Sequence, residues 1–107
     1  MKLNLVKDDI GIYGVDLFLP SNFNNENKVK ISKFIVEPNC CTPWDLHSVS
    51  ELWYVLEGLG EIQIENEKKI IKKGDIEYIQ TNSKHRIINI GDKNVEILSI
   101  WWNENEI

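Results

Sequence analysis

The chain has two histidines, His47 and His85, and two acids stand close to the first of them, Asp45 and Glu51, in the segment PWDLHSVSELWYVLEGLG. Imidazole nitrogen and carboxylate oxygen are the ligand types that hold zinc, iron, manganese or nickel, and they exclude a purely thiolate site. Asp45 and His47 are two residues apart, so on an extended strand both side chains point to one face. Glu51 lies past the short turn Ser48-Val49-Ser50 and opens the next strand, from which it can face the same point. His85 follows a later turn, at the head of HRIINIG. A D-x-H pair is common by chance, so its weight comes from company. Without a metal, the same residues read as turn histidines and as a strand-end acid in solvent.

Nearly every segment that must position these groups looks like a strand. KLNLVK and VDLFLP are short and bounded by acids, glycine and proline, and SNFNNENK is a polar turn cluster. VKISKFIVEP alternates with β-branched residues and stops at Pro38. ELWYVLEG is a strand of buried character, and GEIQIENEKKIIKKGD is a hairpin turning around Asn66. IEYIQ, HRIINIG and VEILSIWW follow, separated by turn signals. No window keeps a 3.6-residue period over three turns. Many short strands at even spacing predict an all-β fold, an antiparallel sandwich or barrel.

At 107 residues the chain is expected to form one domain, residues 1–107, and 42% hydrophobic residues suffice for its core. The formal net charge of −5 argues against nucleic acid as a partner. Cys40 and Cys41 are neighbours, a spacing that disfavours a bridge between them, so both are read as structural thiols of a cytoplasmic protein. The opening MKLNLVKDDIG carries charges where a signal peptide needs an apolar stretch, and no apolar run is long enough to span a membrane.

The two histidine segments resemble the paired motifs of the small cupins. The first motif runs glycine, five residues, H-x-H, three or four residues, glutamate, six residues, glycine; here it reads Asn39, CCTPW, Asp45-Leu46-His47, SVS, Glu51, LWYVLE, Gly58. The second runs glycine, five residues, P-x-G, two residues, histidine, three residues, asparagine; here it reads Gly74, DIEYI, Gln80-Thr81-Asn82, SK, His85, RII, Asn89. Asparagine replaces glycine at 39 and 82, a mild change because asparagine tolerates the left-handed conformation. The larger departure is Asp45, where the family has its first histidine. The resemblance implies an antiparallel double-sheet jelly-roll β-barrel. It also implies a divalent metal ion on Asp45, His47, Glu51 and His85, two histidines and two carboxylates in place of three histidines and one glutamate. Asp45 then either ligates, favouring a harder ion such as manganese or iron(II), or hydrogen-bonds a ligand histidine from behind.

Strand alternation from Glu51 sends Trp53 and Val55 into the barrel, where Trp53 can stack on a ligand or simply fill the core. Gln80 and Ile87, from the second motif, complete the expected ligand-lining set. Glu51, Tyr54 and Tyr78 are the candidate acid/base groups, with the facing of both tyrosines open. If Glu51 points into the barrel, Leu52, Tyr54 and Leu56 face the other way and form an apolar outer face, which predicts a homodimer. The family hosts isomerases and epimerases, dioxygenases, decarboxylases and plain binding modules. The expected function is therefore metal-dependent isomerase or epimerase chemistry, or dioxygenase chemistry, on a small polar metabolite, a sugar or a keto or hydroxy acid. A non-catalytic small-molecule or carbohydrate-binding module is the alternative.

Overall fold

The computed structural model describes residues 5–17 and 29–103. The polar cluster SNFNNENK lies outside the described residues, as do the first residues of KLNLVK and the last of VDLFLP. Among the described residues nine strands follow in chain order: β1 (Val6–Asp9), β2 (Ile12–Leu17), β3 (Val29–Val36), β4 (Ser50–Glu57), β5 (Leu59–Ile64), β6 (Glu67–Lys72), β7 (Ile76–Ile79), β8 (His85–Asn89) and β9 (Val95–Trp102). They form two antiparallel sheets, a six-stranded one ordered β1-β2-β3-β9-β4-β7 and a three-stranded one ordered β6-β5-β8. This is the all-β jelly roll expected from the sequence, with every described element a strand.

Alternation decides what each sheet buries. Along β9, Val95, Ile97 and Ser99 are buried while Glu96, Leu98 and Ile100 are less so. On β8 the buried residues are His85, Ile87 and Asn89. Val36, Val55, Ile62, Ile87 and Ile97 are essentially inaccessible and fill the space between the sheets. Each such side chain contributes about 1.5–3 kcal/mol of transfer free energy.

The motif residues that are not ligands hold turns and corners. Asn39 and Asn82, the two asparagines at expected glycine positions, have φ of 64° and 61°, in the left-handed region. Asn89 is buried and ties a corner together: its Nδ2 donates to the Val36 carbonyl at 2.9 Å and the Lys93 carbonyl at 2.7 Å. Its Oδ1 accepts from the Gly91 N–H at 2.8 Å. Cys40 and Cys41 are free thiols.

Candidate metal centre

The segment that carries Asp45 and His47 is bonded to β8 at Cys40, Thr42 and Asp45. The Asp45 N–H donates to the His85 carbonyl at 2.9 Å, and the His85 N–H donates back to the Asp45 carbonyl at 3.0 Å. This isolated antiparallel bridge sets the two residues opposite each other, so their side chains share a face. Asp45 and His47 do not belong to a regular strand, contrary to the sequence expectation. Pro43 has no N–H for a ladder, and beyond His47 the chain bends through Ser48 and Val49 into β4. The His47 carbonyl accepts from the Asn82 N–H at 2.9 Å, which fastens this segment to the turn before His85.

The side chains converge from these anchors. Asp45, His47 and His85 each place a ligand-type atom within 4.8 Å of the others. His47 Nε2 lies 3.6 Å from Asp45 Oδ2 and 3.3 Å from Glu51 Oε1. His85 Nε2 lies 3.6 Å from the same Glu51 oxygen. His85 Nδ1 is 2.7 Å from the Ser83 carbonyl, which can only accept, so Nδ1 carries the proton and the Nε2 lone pair faces the cluster.

Glu51 is held from behind. Its Oε2 accepts from Trp53 Nε1 at 2.8 Å and also from the Ser99 hydroxyl. Its Oε1 is buried and has no hydrogen-bond partner among the described residues. An acceptor-only oxygen left unpaired in the interior is costly, and here it points at two imidazole nitrogens. A divalent cation suits such a donor set: carboxylate oxygen and two imidazoles, one with its tautomer fixed by a backbone carbonyl, are hard-to-borderline ligands. The residues fit the ion that the motifs imply.

Beside the cluster opens a cavity of about 760 Å³, whose walls include Trp44, Asp45, Glu51, Trp53, His85 and Ser99. Of the expected lining residues, Trp53 reaches this wall. It is 4% exposed and packs edge-on against Phe34 and His85, so it anchors Glu51 more than it offers a stacking face. Val55 and Ile87 sit in the core behind the wall, and Gln80 is exposed in the turn before His85. Tyr54 and Tyr78 are not brought to the cavity: they are 39% and 45% exposed on the outer face of the large sheet. The pairing Leu52↔Tyr78 puts Tyr78 on the face opposite Glu51, where its hydroxyl lies 3.3 Å from Ser50 Oγ. Ser99 was missed by sequence reasoning. A signal existed, since it is the polar member of the inward series Val95, Ile97, Ser99.

Comparison with known proteins gives consistent results. The sequence model of the Cupin domain family matches residues 32–101. An uncharacterized protein of Methanocaldococcus jannaschii is 39% identical over 72 residues, which cover 66% of this chain and 58% of that protein's length. The plu4264 protein from Photorhabdus luminescens superposes with a TM-score of 0.83 at 25% identity, covering 98% of this chain and 88% of that one. A Thermotoga maritima protein described as a predicted oxalate decarboxylase superposes with a TM-score of 0.78 at 20% identity, over 94% of this chain and 90% of that one.

Proposed function

The chain belongs to the Cupin domain family, and we propose from its centre that it is a divalent-metal enzyme acting on a small polar metabolite. Asp45, His47, Glu51 and His85 are its ligands in this reading. One observation carries it: the buried Glu51 Oε1 lacks any hydrogen-bond partner among the described residues, yet lies 3.3 and 3.6 Å from the Nε2 atoms of His47 and His85. A bound ion supplies a Lewis acid that polarises a carbonyl or hydroxyl of the substrate. This favours isomerase or epimerase chemistry. With both tyrosines on the outer face, the titratable side chains of the cavity wall outside the ligand set are Asp8, Asp9, Asp16 and Lys33. The description of the Thermotoga protein is not carried over, because that likeness supports the fold alone.

Elemental analysis of the untagged chain by plasma mass spectrometry tests the reading. Near-stoichiometric manganese, iron, zinc or nickel is expected in the wild type and absent from His47→Ala. Asp45 is 63% exposed in its side chain and its Oδ1 already accepts from the Leu46 N–H, so Asp45→Ala is expected to weaken binding about tenfold without abolishing it. A wild type that takes up no metal after incubation with excess ions would sink the metalloenzyme and leave the binding module.

The outer face of the large sheet fits a second copy of the chain. Pairings across it set Leu52 beside Ile100 and Tyr78, and Tyr54 beside Leu98 and Ile76. That row is apolar on the solvent side, with Ile76 62% exposed. Light scattering is expected to give twice the 12.5 kDa chain mass, and Ile100→Asp to give the chain mass alone. A monomeric wild type refutes the dimer. The free thiols Cys40 and Cys41 accord with a reducing cytoplasm.

A further inference from the structure

Glu51 divides its carboxylate between two surroundings. Oε1 faces the imidazoles, 3.3 Å from His47 Nε2 and 3.6 Å from His85 Nε2. Oε2 accepts from Trp53 Nε1 at 2.8 Å and from the Ser99 hydroxyl. An ionised carboxylate has about four acceptor sites, two to each oxygen, so these two donors saturate Oε2. The direction of both bonds is fixed. An indole N–H can only donate, and the serine hydroxyl meets a carboxylate that can only accept.

Both donors come from one register position. Trp53 on β4 pairs directly with Ser99 on β9, and Glu51 stands two residues before Trp53 on the same face of β4. Edge-on contacts with Phe34 and His85, at ring centroid distances of 5.2 and 5.5 Å, lock the indole in place. Ser99 sits inside the large sheet, where β9 is paired with β3 on one side and β4 on the other. Trp53 and Ser99 are 4% and 2% exposed, so bulk water does not replace either donor. Burial alone favours an aliphatic residue at position 99, as at Val95 and Ile97 of the same inward series. The hydroxyl there answers to Glu51.

We propose that Ser99 is a positioning residue: together with Trp53 it keeps Oε2 off the metal, limits Glu51 to ligation through one oxygen, and so holds a coordination position open. The inference rests on the metal-centre reading and adds what sets the room left for substrate. Asp45, His47 and His85 each offer one ligand atom. An octahedral ion that takes one atom from each of these and one from Glu51 keeps roughly two positions for water or substrate. A Glu51 that gave both oxygens would take one of those positions. A substrate that chelates through two oxygens would then lose half its hold.

The test counts water on bound manganese. The full chain is loaded with manganese, and the relaxation of solvent protons gives the number of exchanging water molecules on the ion. Ser99→Ala removes a single oxygen atom and is expected to hold about one water fewer than the wild type. Manganese affinity is expected to change by no more than about tenfold, because the freed oxygen offsets the lost alignment. Ser99→Thr keeps the hydroxyl and is expected to keep the wild-type count. A hydroxyl that only supported the fold would leave the count alone, whatever it did to the melting temperature. The readout is a difference between variants, so it holds whether or not Asp45 ligates. The proposal is overturned if Ser99→Ala keeps the wild-type count, or if Ser99→Thr loses a water as Ser99→Ala does. A wild type that takes up no divalent ion overturns the metal-centre reading and this inference together. A wild type that loads, with variants of equal count, overturns this inference alone.

Discussion

Glu51→Gln is expected to lose metal binding and, in the presence of a chelator, to melt at a higher temperature than the wild type. The two effects have one cause. In the wild type, Oε2 accepts from Trp53 and Ser99 while Oε1 is buried without a partner. A glutamine that keeps its carbonyl on Trp53 and Ser99 places its amide NH₂ where Oε1 was, 3.3 and 3.6 Å from the two imidazole Nε2 atoms. The NH₂ then donates to lone pairs that the metal would use, and it offers no lone pair itself. Turning the amide round would set its NH₂ against two donors. Metal affinity is expected to fall by at least about 100-fold. Metal-free stability is expected to rise by about 1–3 kcal/mol, because a buried charge with an unpaired oxygen is removed. For a chain of this size that is about 4–8 °C per kcal/mol. Calorimetric titration with manganese and zinc, and melting in chelator, read the two halves independently. Wild-type affinity in the variant would show that Oε1 is not a ligand, and a lower chelator melting point would show that its isolation carries no cost.

How much of this centre was legible depends on how far each feature reaches along the chain. Local features were readable. The D-x-H pair, Glu51 and His85 stand out by type and spacing, and the asparagines at 39 and 82 adopt the positive φ that their glycine-like positions demand. The segment VEILSIWW coincides with β9. Features that need a register were not readable. Tyr78 faces outward because it pairs with Leu52, a choice made by the β4–β7 ladder and not by either segment. Ser99 reaches Glu51 across 48 residues because β9 runs between β3 and β4. The position of Asp8 over Gly14 depends on β1 folding back on β2. The strand expected at Asp45 is interrupted: two separate bridges, Cys41 to Ile88 and Asp45 to His85, hold that segment to β8 in place of a continuous ladder.

Gly58→Ala is expected to cost about 3 kcal/mol or more, and Gly74→Ala about 1–2 kcal/mol, although both glycines have similar φ, 97° and 92°. The backbone penalty of a Cβ in this region is common to both, so the difference lies in what the new methyl meets. At Gly74 nothing lies within 4 Å. At Gly58 a Cβ would fall 2.5 Å from the Asn94 carbonyl oxygen and 2.7 Å from Val95 Cα. These are backbone atoms, and Val95 is fully buried, so neither can step aside cheaply. The crowding has a topological origin. β4 ends in the large sheet at Glu57 and β5 begins in the small sheet at Leu59, so Gly58 alone carries the chain from one to the other. Urea unfolding of the two variants in chelator, at equal slope, reads the difference. Equal losses would refute the steric argument and leave only the shared conformational cost. Because β4 also carries Glu51 and Trp53, metal titration of the folded fraction of Gly58→Ala adds a second reading. Unchanged affinity means the corner joins the sheets without adjusting the centre, whereas weakened affinity means that strain at residue 58 travels along β4 to the ligand it holds.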